Sequence, residues 1–235
     1  MPASAAHTVK AFDQDLDELR ASVAAVGGWA EAALREAMEG LIRMDREAAA
    51  SALDRARIVR ALADDVERRA VCLIALRAPR ADDLREVLTC LKITGFVERI
   101  AAHAATIAST AAGFDASRAI DSPIALGNLA RVALGALREA LDTFVAQDPS
   151  GGASVSEAAH SAEALYGSLL QSCIAQMRRD PGSIASVTGL LFVSRSLARA
   201  TDQAASIANA VHFGLTGAHA PDARREPVDL LAIGA

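Results

Sequence analysis

The apolar residues of this chain recur at alternating intervals of three and four residues. Within the first stretch they are Leu19, Val23, Val26, Ala30, Ala33, Ala37 and Leu41. This spacing places them on one face of a long α-helix that packs against other helices. Aromatic residues are only 3% of the chain while hydrophobic residues are 52%, so the core has to be built from small aliphatic side chains in closely approaching elements. The pattern predicts an all-α fold without strands.

The same spacing continues in two further segments. The second follows Asp45 and stops before Pro79, because a residue that precedes proline is disfavoured in a helix. Its predicted inner face comprises Ala52, Ala56, Val59, Ala63, Val66, Ala70 and Leu73. The third segment starts with Asp82 and Asp83, whose charges favour a helix N-terminus, and fades at Gly113. Its predicted inner residues are Leu84, Val87, Leu91, Ile100, Ala104 and Ile107.

After Phe114 the pattern restarts. Ser122 is predicted to cap a fourth helix that has Pro123 at its first position and reaches about Ala146. The run Ser154-Val155-Ser156-Glu157 has the form of a capping box at the start of a fifth helix. That helix is expected to stop at Asp180-Pro181-Gly182, and a sixth to run from about Ser183 to Phe213 and end at Gly214.

The two halves of the chain repeat each other at an offset of 100 residues. Arg99, Ala104, Ala105, Ile107 and Ala108 recur as Arg199, Ala204, Ala205, Ile207 and Ala208. A duplicated unit with short turns predicts two tandem antiparallel three-helix bundles. We expect the first bundle at residues 10–113, the second at 119–213, and a flexible C-terminal tail at 214–235.

Charge and composition exclude several classes of function. The formal net charge of −5 gives no basic field for nucleic acid. No signal peptide precedes Asp13, and the longest uncharged stretch, residues 203–221, is too polar to span a membrane. We therefore expect a cytoplasmic protein with no membrane span. Cys72, Cys90 and Cys173 are widely spaced and are predicted to be small core residues.

Catalytic motifs are absent from the sequence. It contains no nucleophile elbow, no phosphate-binding loop, no GxGxxG and no paired histidine set. Glu157-x-x-His160 occurs once, whereas a carboxylate-bridged di-iron bundle carries Glu-x-x-His on two helices and a Glu from each of two more. The sequence thus predicts that the protein is not an enzyme.

Several motifs together resemble the PhoU family. They are Val26-Gly27-Gly28-Trp29-Ala30-Glu31, Pro79-Arg80-Ala81-Asp82-Asp83-Leu84-Arg85, Leu91-Lys92-Ile93-Thr94-Gly95-Phe96-Val97-Glu98-Arg99-Ile100 and Ser194-Arg195-Ser196-Leu197-Ala198-Arg199-Ala200-Thr201-Asp202. They occur in the family's order on a duplicated bundle, and the resemblance extends over residues 12–213. The family carries an E-R-I-G-D signature at the end of each three-helix unit and a P-x-x-x-D-L-R turn before the first; this chain has the turn and part of each signature.

The resemblance implies a cytoplasmic regulator of phosphate homeostasis. Such a protein negatively regulates phosphate uptake and phosphate-regulon signalling through contacts with the ATPase of the phosphate ABC transporter and with a sensor histidine kinase. It also implies a homodimer. In some members, carboxylates of E/D-x-x-x-D motifs bind iron, zinc or another divalent metal, since residues at i and i+4 share a helix face.

This sequence keeps only part of those motifs. Glu98 remains in the first unit, but Ala101 and Ala102 follow Arg99 and Ile100; in the second unit Ala198 replaces the acid and Asp202 remains. By comparison with the family, Ala56 and Ala159 also stand at acidic positions. Glu98, Asp202 and Glu163 are the remaining candidate ligands. Because hard cations require several oxygen ligands, we predict weak or absent metal binding.

Other residues have two interpretations each. His103 and His160 are either compensating metal ligands or ordinary polar histidines. Arg99 and Arg199 either bind phosphate or pair with acids between helices, and we favour the pairing. Trp29 is predicted to be a packing anchor.

Two alternative functions follow from these observations. One is a metal-binding helical-bundle protein. The other is a divergent PhoU-like paralogue that regulates another transporter or kinase, and it is motivated by the incomplete motifs.

Overall fold

The computed structural model describes residues 3–111 and 123–219, which form long helices and no strands. The helices are α1 (Ala3–Arg43), α2 (Arg46–Arg77), α3 (Ala81–Ala111), α4 (Pro123–Ala146), α5 (Gly152–Arg179) and α6 (Ile184–Thr216), with a short 3₁₀ turn at Pro181–Ser183 before α6. The all-α prediction is confirmed. The predicted cap Ser122 and the tail from residue 220 lie outside the described residues. No helix in the described part is long and apolar enough to cross a membrane.

The ends of α2 follow from local sequence. The Asp45 carboxylate accepts hydrogen bonds from the amides of Glu47 and Ala48, at 2.9 and 3.1 Å, and so caps the helix N-terminus. At the other end Ala78 adopts a left-handed conformation with φ 46°, and its amide donates to the carbonyl of Ile74. Pro79 follows and prevents the helix from continuing.

Two predicted helix boundaries are wrong. The helix α5 begins at Gly152, so Ser154 lies inside its first turn and is not the cap; the Ser154 hydroxyl donates to Glu139 of α4 and to the Gly151 carbonyl instead. The helix α6 continues through Gly214 to Thr216 and ends at Gly217, whose φ is +73°. Gly214 is needed for close packing, because a Cβ there would lie 2.7 Å from the Thr89 hydroxyl of α3.

The helices form two three-helix bundles, α1–α2–α3 and α4–α5–α6. This confirms the predicted tandem architecture. The bundles also pack on each other, α3 against α6 and α1 against α4. The helices α3 and α6 are antiparallel, since Lys92 and Arg85 near the start of α3 contact Phe213 and Gly214 near the end of α6. The helices α1 and α4 are also antiparallel, since Gly27 lies against Leu141 while Glu31, further along α1, pairs with the earlier Arg138 of α4. Antiparallel packing of corresponding helices is the arrangement that a two-fold axis between the units would produce.

One continuous hydrophobic core joins the two bundles. All the apolar positions predicted for α1 are buried. The predictions for α2 and α3 also hold, except that Ala56, Leu84 and Leu91 are only half-buried. Gly27 lets α1 approach α4, because a Cβ on it would meet the Leu141 side chain at 2.5 Å. The interface between the units is therefore part of the core.

Candidate functional site

Glu98 lies on α3 at the groove between α2 and α3. Its side chain is 45% exposed, and Nε of Arg60 on α2 lies 3.9 Å from its carboxylate. The carboxylate thus faces a guanidinium across the groove. An exposed pair at this distance contributes little stability, between about 0 and 1 kcal/mol.

Glu163 occupies the corresponding groove of the second unit, between α5 and α6. Nη1 of Arg195 on α6 lies 3.2 and 3.4 Å from the two oxygens of its carboxylate. The guanidinium of Arg195 also lies over the ring of Tyr166, 4.9 Å from the centroid, a distance at which the ring face attracts a cation. Arg195 is thereby held between an acid and an aromatic ring of α5.

Asp202 is buried at 8% exposure on α6. Its carboxylate lies 3.5 Å from Nη1 of Arg199, one turn earlier on the same helix. Across the interface between the units, His103 of α3 experiences the charges of both Arg199 and Asp202. This polar cluster therefore lies where the two bundles meet.

The three carboxylates do not share a site. Glu98 belongs to the first unit. In the second unit Glu163 pairs with Arg195, and Asp202 lies seven residues beyond Arg195 on α6. This separation corresponds to about 10 Å along the helix axis. Within residues 12–111 and 124–219 no three His, Cys, Asp or Glu side chains are grouped so that they could hold a metal ion. Each candidate ligand instead has an arginine beside it.

Arg60 and Arg195 are not among the functional residues predicted from the sequence. The inner positions Ala52, Ala56, Val59 and Ala63 of α2 correspond to Val155, Ala159, Ala162 and Tyr166 of α5 at an offset of 103 residues. That offset aligns Arg60 with Glu163. A comparison of the second helices of the two units would therefore have shown that a cation stands in the first unit where the second has an acid.

The remaining candidates have local roles. Arg99 is exposed and lies over the ring of Phe96 on its own helix, 5.8 Å from the centroid. Arg199 pairs with Asp202 of its own helix α6. The prediction that Arg199 pairs with an acid of another helix is therefore wrong for this contact. His160 is exposed, and its Nδ1 lies 2.8 Å from the Ser156 carbonyl oxygen. Asp82 and Asp83 lie in the first turn of α3 as predicted.

Two of the three cysteines are buried as predicted. Burial raises the pKa of the Cys90 thiol to about 12, and the negative charge of Glu86 adds to the shift. Burial also raises the pKa of Cys173. The prediction is wrong for Cys72, which is exposed because it lies outside the apolar stripe formed by Val66, Ala70 and Leu73.

An ion pair fixes α1 to α4 across the two units. Oε1 of Glu31 accepts a hydrogen bond from Arg138 of α4 and another from Arg35, both at 2.6 Å. Burial alone would raise the pKa of Glu31, but the hydrogen bonds from Arg138 and Arg35 outweigh it and hold this pKa below its usual value. Charge-assisted contacts of this kind add orientation to the apolar packing.

Trp29 packs against the core from α1, as predicted for an anchor. The guanidinium of Arg55 on α2 lies over its ring, 5.1 Å from the centroid. Arg55 also donates a hydrogen bond of 2.6 Å to Glu36 of α1. The indole is thus part of a cross-helix contact and is covered on one face by this chain's own arginine.

His103 gives the interface between the units a pH dependence. Burial lowers the pKa of His103 and the charge of Arg199 lowers it further, while Asp202 partly opposes the shift. The unfolded chain, with an ordinary histidine pKa of about 6.5, then binds a proton more readily than the folded protein. The stability contributed by neutral His103 is complete above that pH and is lost as the pH falls below it.

We therefore expect His103→Gln to reduce the loss of stability between about pH 7 and pH 5, the range in which an ordinary histidine titrates. The measurement is the free energy of unfolding in urea at several pH values for wild type and variant. The same substitution at the exposed His160 is the matched control. Identical pH profiles for wild type and His103→Gln would contradict the assignment.

A PhoU domain family model matches residues 23–111 and 126–211, so that each match covers most of one bundle. The chain belongs to the PhoU family. Named relatives align along almost their whole length. The phosphate-specific transport system accessory protein PhoU homolog of Zymomonas mobilis is 37% identical over 226 residues, which cover 96% of this chain and 95% of the relative. The homolog of the same name in Rhizobium meliloti is 31% identical over 233 residues, covering 97% and 96%.

Solved PhoU structures have the same fold. The crystal structure of PhoU from Pseudomonas aeruginosa superposes with a TM-score of 0.83 at 26% identity, covering 88% of this chain and all of that one. The phosphate transport system regulatory protein PhoU from Streptococcus pneumoniae gives the same TM-score at 23% identity, covering 89% and 99%, and this likeness shows the fold alone. The family resemblance inferred from the motifs is thus confirmed, and the named relatives are phosphate transport accessory proteins.

Proposed function

We propose that this protein is a cytoplasmic, non-catalytic adaptor that negatively regulates phosphate uptake and phosphate-regulon signalling. It binds the ATPase of the phosphate ABC transporter and the associated sensor histidine kinase, and it acts as a homodimer. The observation that carries the proposal is the alignment of both bundles with PhoU domains, together with 37% identity along almost the whole chain to a protein named as a phosphate transport accessory protein.

The structure supports an adaptor in a second way. The unit interface is closed by apolar packing, by Gly27 and Gly214, and by the Glu31–Arg138 ion pair. A scaffold fixed in this manner presents long helical faces in a constant relative orientation. Such faces are suited to recognition by other helical or globular proteins, where preorganisation reduces the entropy lost on binding.

Deletion of the gene in its native host tests the function. We expect phosphate uptake and a phosphate-starvation reporter to rise in phosphate-rich medium, and a plasmid copy of the intact gene to restore both. Unchanged uptake and reporter activity would contradict the role in phosphate control. That outcome would favour the divergent paralogue acting on another transporter or kinase, which the incomplete carboxylate motifs motivate.

Co-purification tests the partners separately. The tagged protein, expressed at its native level, is isolated from cells grown in high and in low phosphate, and the transporter ATPase and the kinase are quantified in the eluate. We expect both partners to be enriched over an untagged strain, with an occupancy that depends on phosphate. Light scattering of the purified protein is expected to give the mass of a dimer. Enrichment of neither partner in either medium would overturn the proposed contacts, even if the deletion phenotype is found.

A further inference from the structure

The family resemblance implies a divalent metal at the grooves between the second and third helices of each unit, and these grooves do not fit one. The first groove has a single carboxylate, Glu98, among the motif positions, with Ala56 and Ala102 at two others. A divalent cation such as Zn²⁺ or Fe²⁺ would gain at most two oxygens from that carboxylate, whereas structural zinc sites supply four protein ligands.

The position of the first groove that corresponds to Glu163 carries a positively charged side chain. The repeat offset aligns Arg60 with Glu163, and Nε of Arg60 lies 3.9 Å from the Glu98 carboxylate. The positive charge of this guanidinium attracts the carboxylate and repels an incoming metal ion. The lack of ligands and the positive charge of Arg60 thus both disfavour metal binding at the first groove.

In the second unit, too, the candidate metal-binding carboxylates are paired with arginine side chains. Its acid, Glu163, has Arg195 beside it at 3.2 Å, and Asp202, which lies apart from this groove where the two bundles meet, has Arg199 beside it at 3.5 Å. Arg195 is additionally fixed over Tyr166. A metal ion that entered this groove would have to displace an arginine that is always charged near neutral pH.

We infer that arginine side chains replace the divalent metal ion at both grooves, so that the protein binds neither iron nor zinc there. Arg60 supplies the positive charge beside Glu98 in the first groove, and Arg195 supplies it beside Glu163 in the second. The positive charge that a metal ion would supply comes instead from these arginine side chains. This inference concerns the grooves alone and stands independently of which partners the protein binds.

The test measures zinc binding by the wild-type protein and by a variant that is designed to gain it. Wild-type protein is stripped with chelator, desalted, titrated with Zn²⁺ against a fluorescent zinc indicator, and analysed for bound metal after gel filtration. We expect no binding that competes with the indicator and only traces of retained zinc. The double variant Arg60→Glu with Ala102→Asp surrounds Glu98 with two further carboxylates, and we expect its zinc affinity to rise at least about 100-fold.

The matched control is Arg57→Glu with Ala102→Asp. It has the same net charge as the first double variant but retains Arg60; Arg57 is an exposed residue of α2 paired with Asp54. We expect this control to bind zinc no better than Ala102→Asp alone. Arg60 and Ala102 are both exposed, so folding should be preserved, and circular dichroism and gel filtration verify this.

Three results would overturn the inference. The first is stoichiometric metal in the wild-type protein that is lost in Glu98→Ala or Asp202→Ala. The second is a folded Arg60→Glu, Ala102→Asp variant with the zinc affinity of wild type. The third is equal zinc affinity in the test and control double variants, since net charge alone would then explain the gain. The wild-type titration remains decisive even if a variant fails to fold.

Discussion

Gly40→Ala is expected to lower the free energy of unfolding by about 2 kcal/mol, as is typical of overpacking at a tight contact. A Cβ at Gly40 would lie 2.8 Å from the amide nitrogen of Ala49 and 3.0 Å from its Cα. Because these are backbone atoms, the strain cannot be relieved by rotation of a side chain. The ends of α1 and α2 would have to move apart, which would disturb the turn held by the Asp45–Gly40 backbone hydrogen bond.

Gly28→Ala is the matched control, because it makes the same change in the same helix. A Cβ at Gly28 would have no atom within 4 Å, so only the higher helix propensity of alanine matters. We expect the free energy of unfolding to rise by up to about 1 kcal/mol. Urea unfolding followed by circular dichroism measures both variants. Shifts of the same sign would show that the close approach of α1 and α2 does not constrain position 40.

Leu169→Ala is expected to cost about 3 kcal/mol of stability, the usual loss when a buried leucine is truncated in a packed core. Leu169 lies on α5, which packs on α4 and α6 of the second unit. Since one apolar core joins both units, we expect the first unit to unfold with the second. The single tryptophan, Trp29, lies on α1 and reports on the first unit by its fluorescence.

The measurement compares Trp29 fluorescence with far-ultraviolet circular dichroism during urea unfolding of Leu169→Ala. Coincident transitions, both moved to lower urea by the same amount, are expected for a single cooperative unit. A fluorescence midpoint that stays at the wild-type value while the dichroism signal loses about half its amplitude earlier would show that the bundles unfold independently. The exposed Ala153→Gly on the same helix controls for changes in local helix stability.

The helices could be predicted from sequence because their signal is repeated many times. In α1 every inner position from Leu19 to Leu41 agrees with the burial seen in the structure. Single residues gave weaker signals. Ser154 has the form of a cap but its hydroxyl bonds to Glu139, and Gly214 has the form of a helix end but allows Thr89 to pack closely. Both depend on a neighbouring helix, and no local pattern contains that information.

The candidate site could be predicted only in part for a similar reason. The sequence identified the retained acids Glu98, Glu163 and Asp202 and the alanines beside them. It did not identify the arginines beside them. Arg60 and Glu98 lie on different helices, α2 and α3, and come together only when the bundle folds. The depressed pKa of His103 likewise depends on burial and on Arg199 of the other unit.

The antiparallel contacts of α3 with α6 and of α1 with α4 have a consequence for how the chain can diverge. In a symmetric dimer of one such unit every substitution would appear twice, once on each side of the axis. Joining the two units in one chain removes that restriction, so each side can change alone. The chain uses this freedom where the units meet, because Asp202 of the second unit is buried and acts on His103 of the first, while its counterpart Ala102 is an exposed residue without charge.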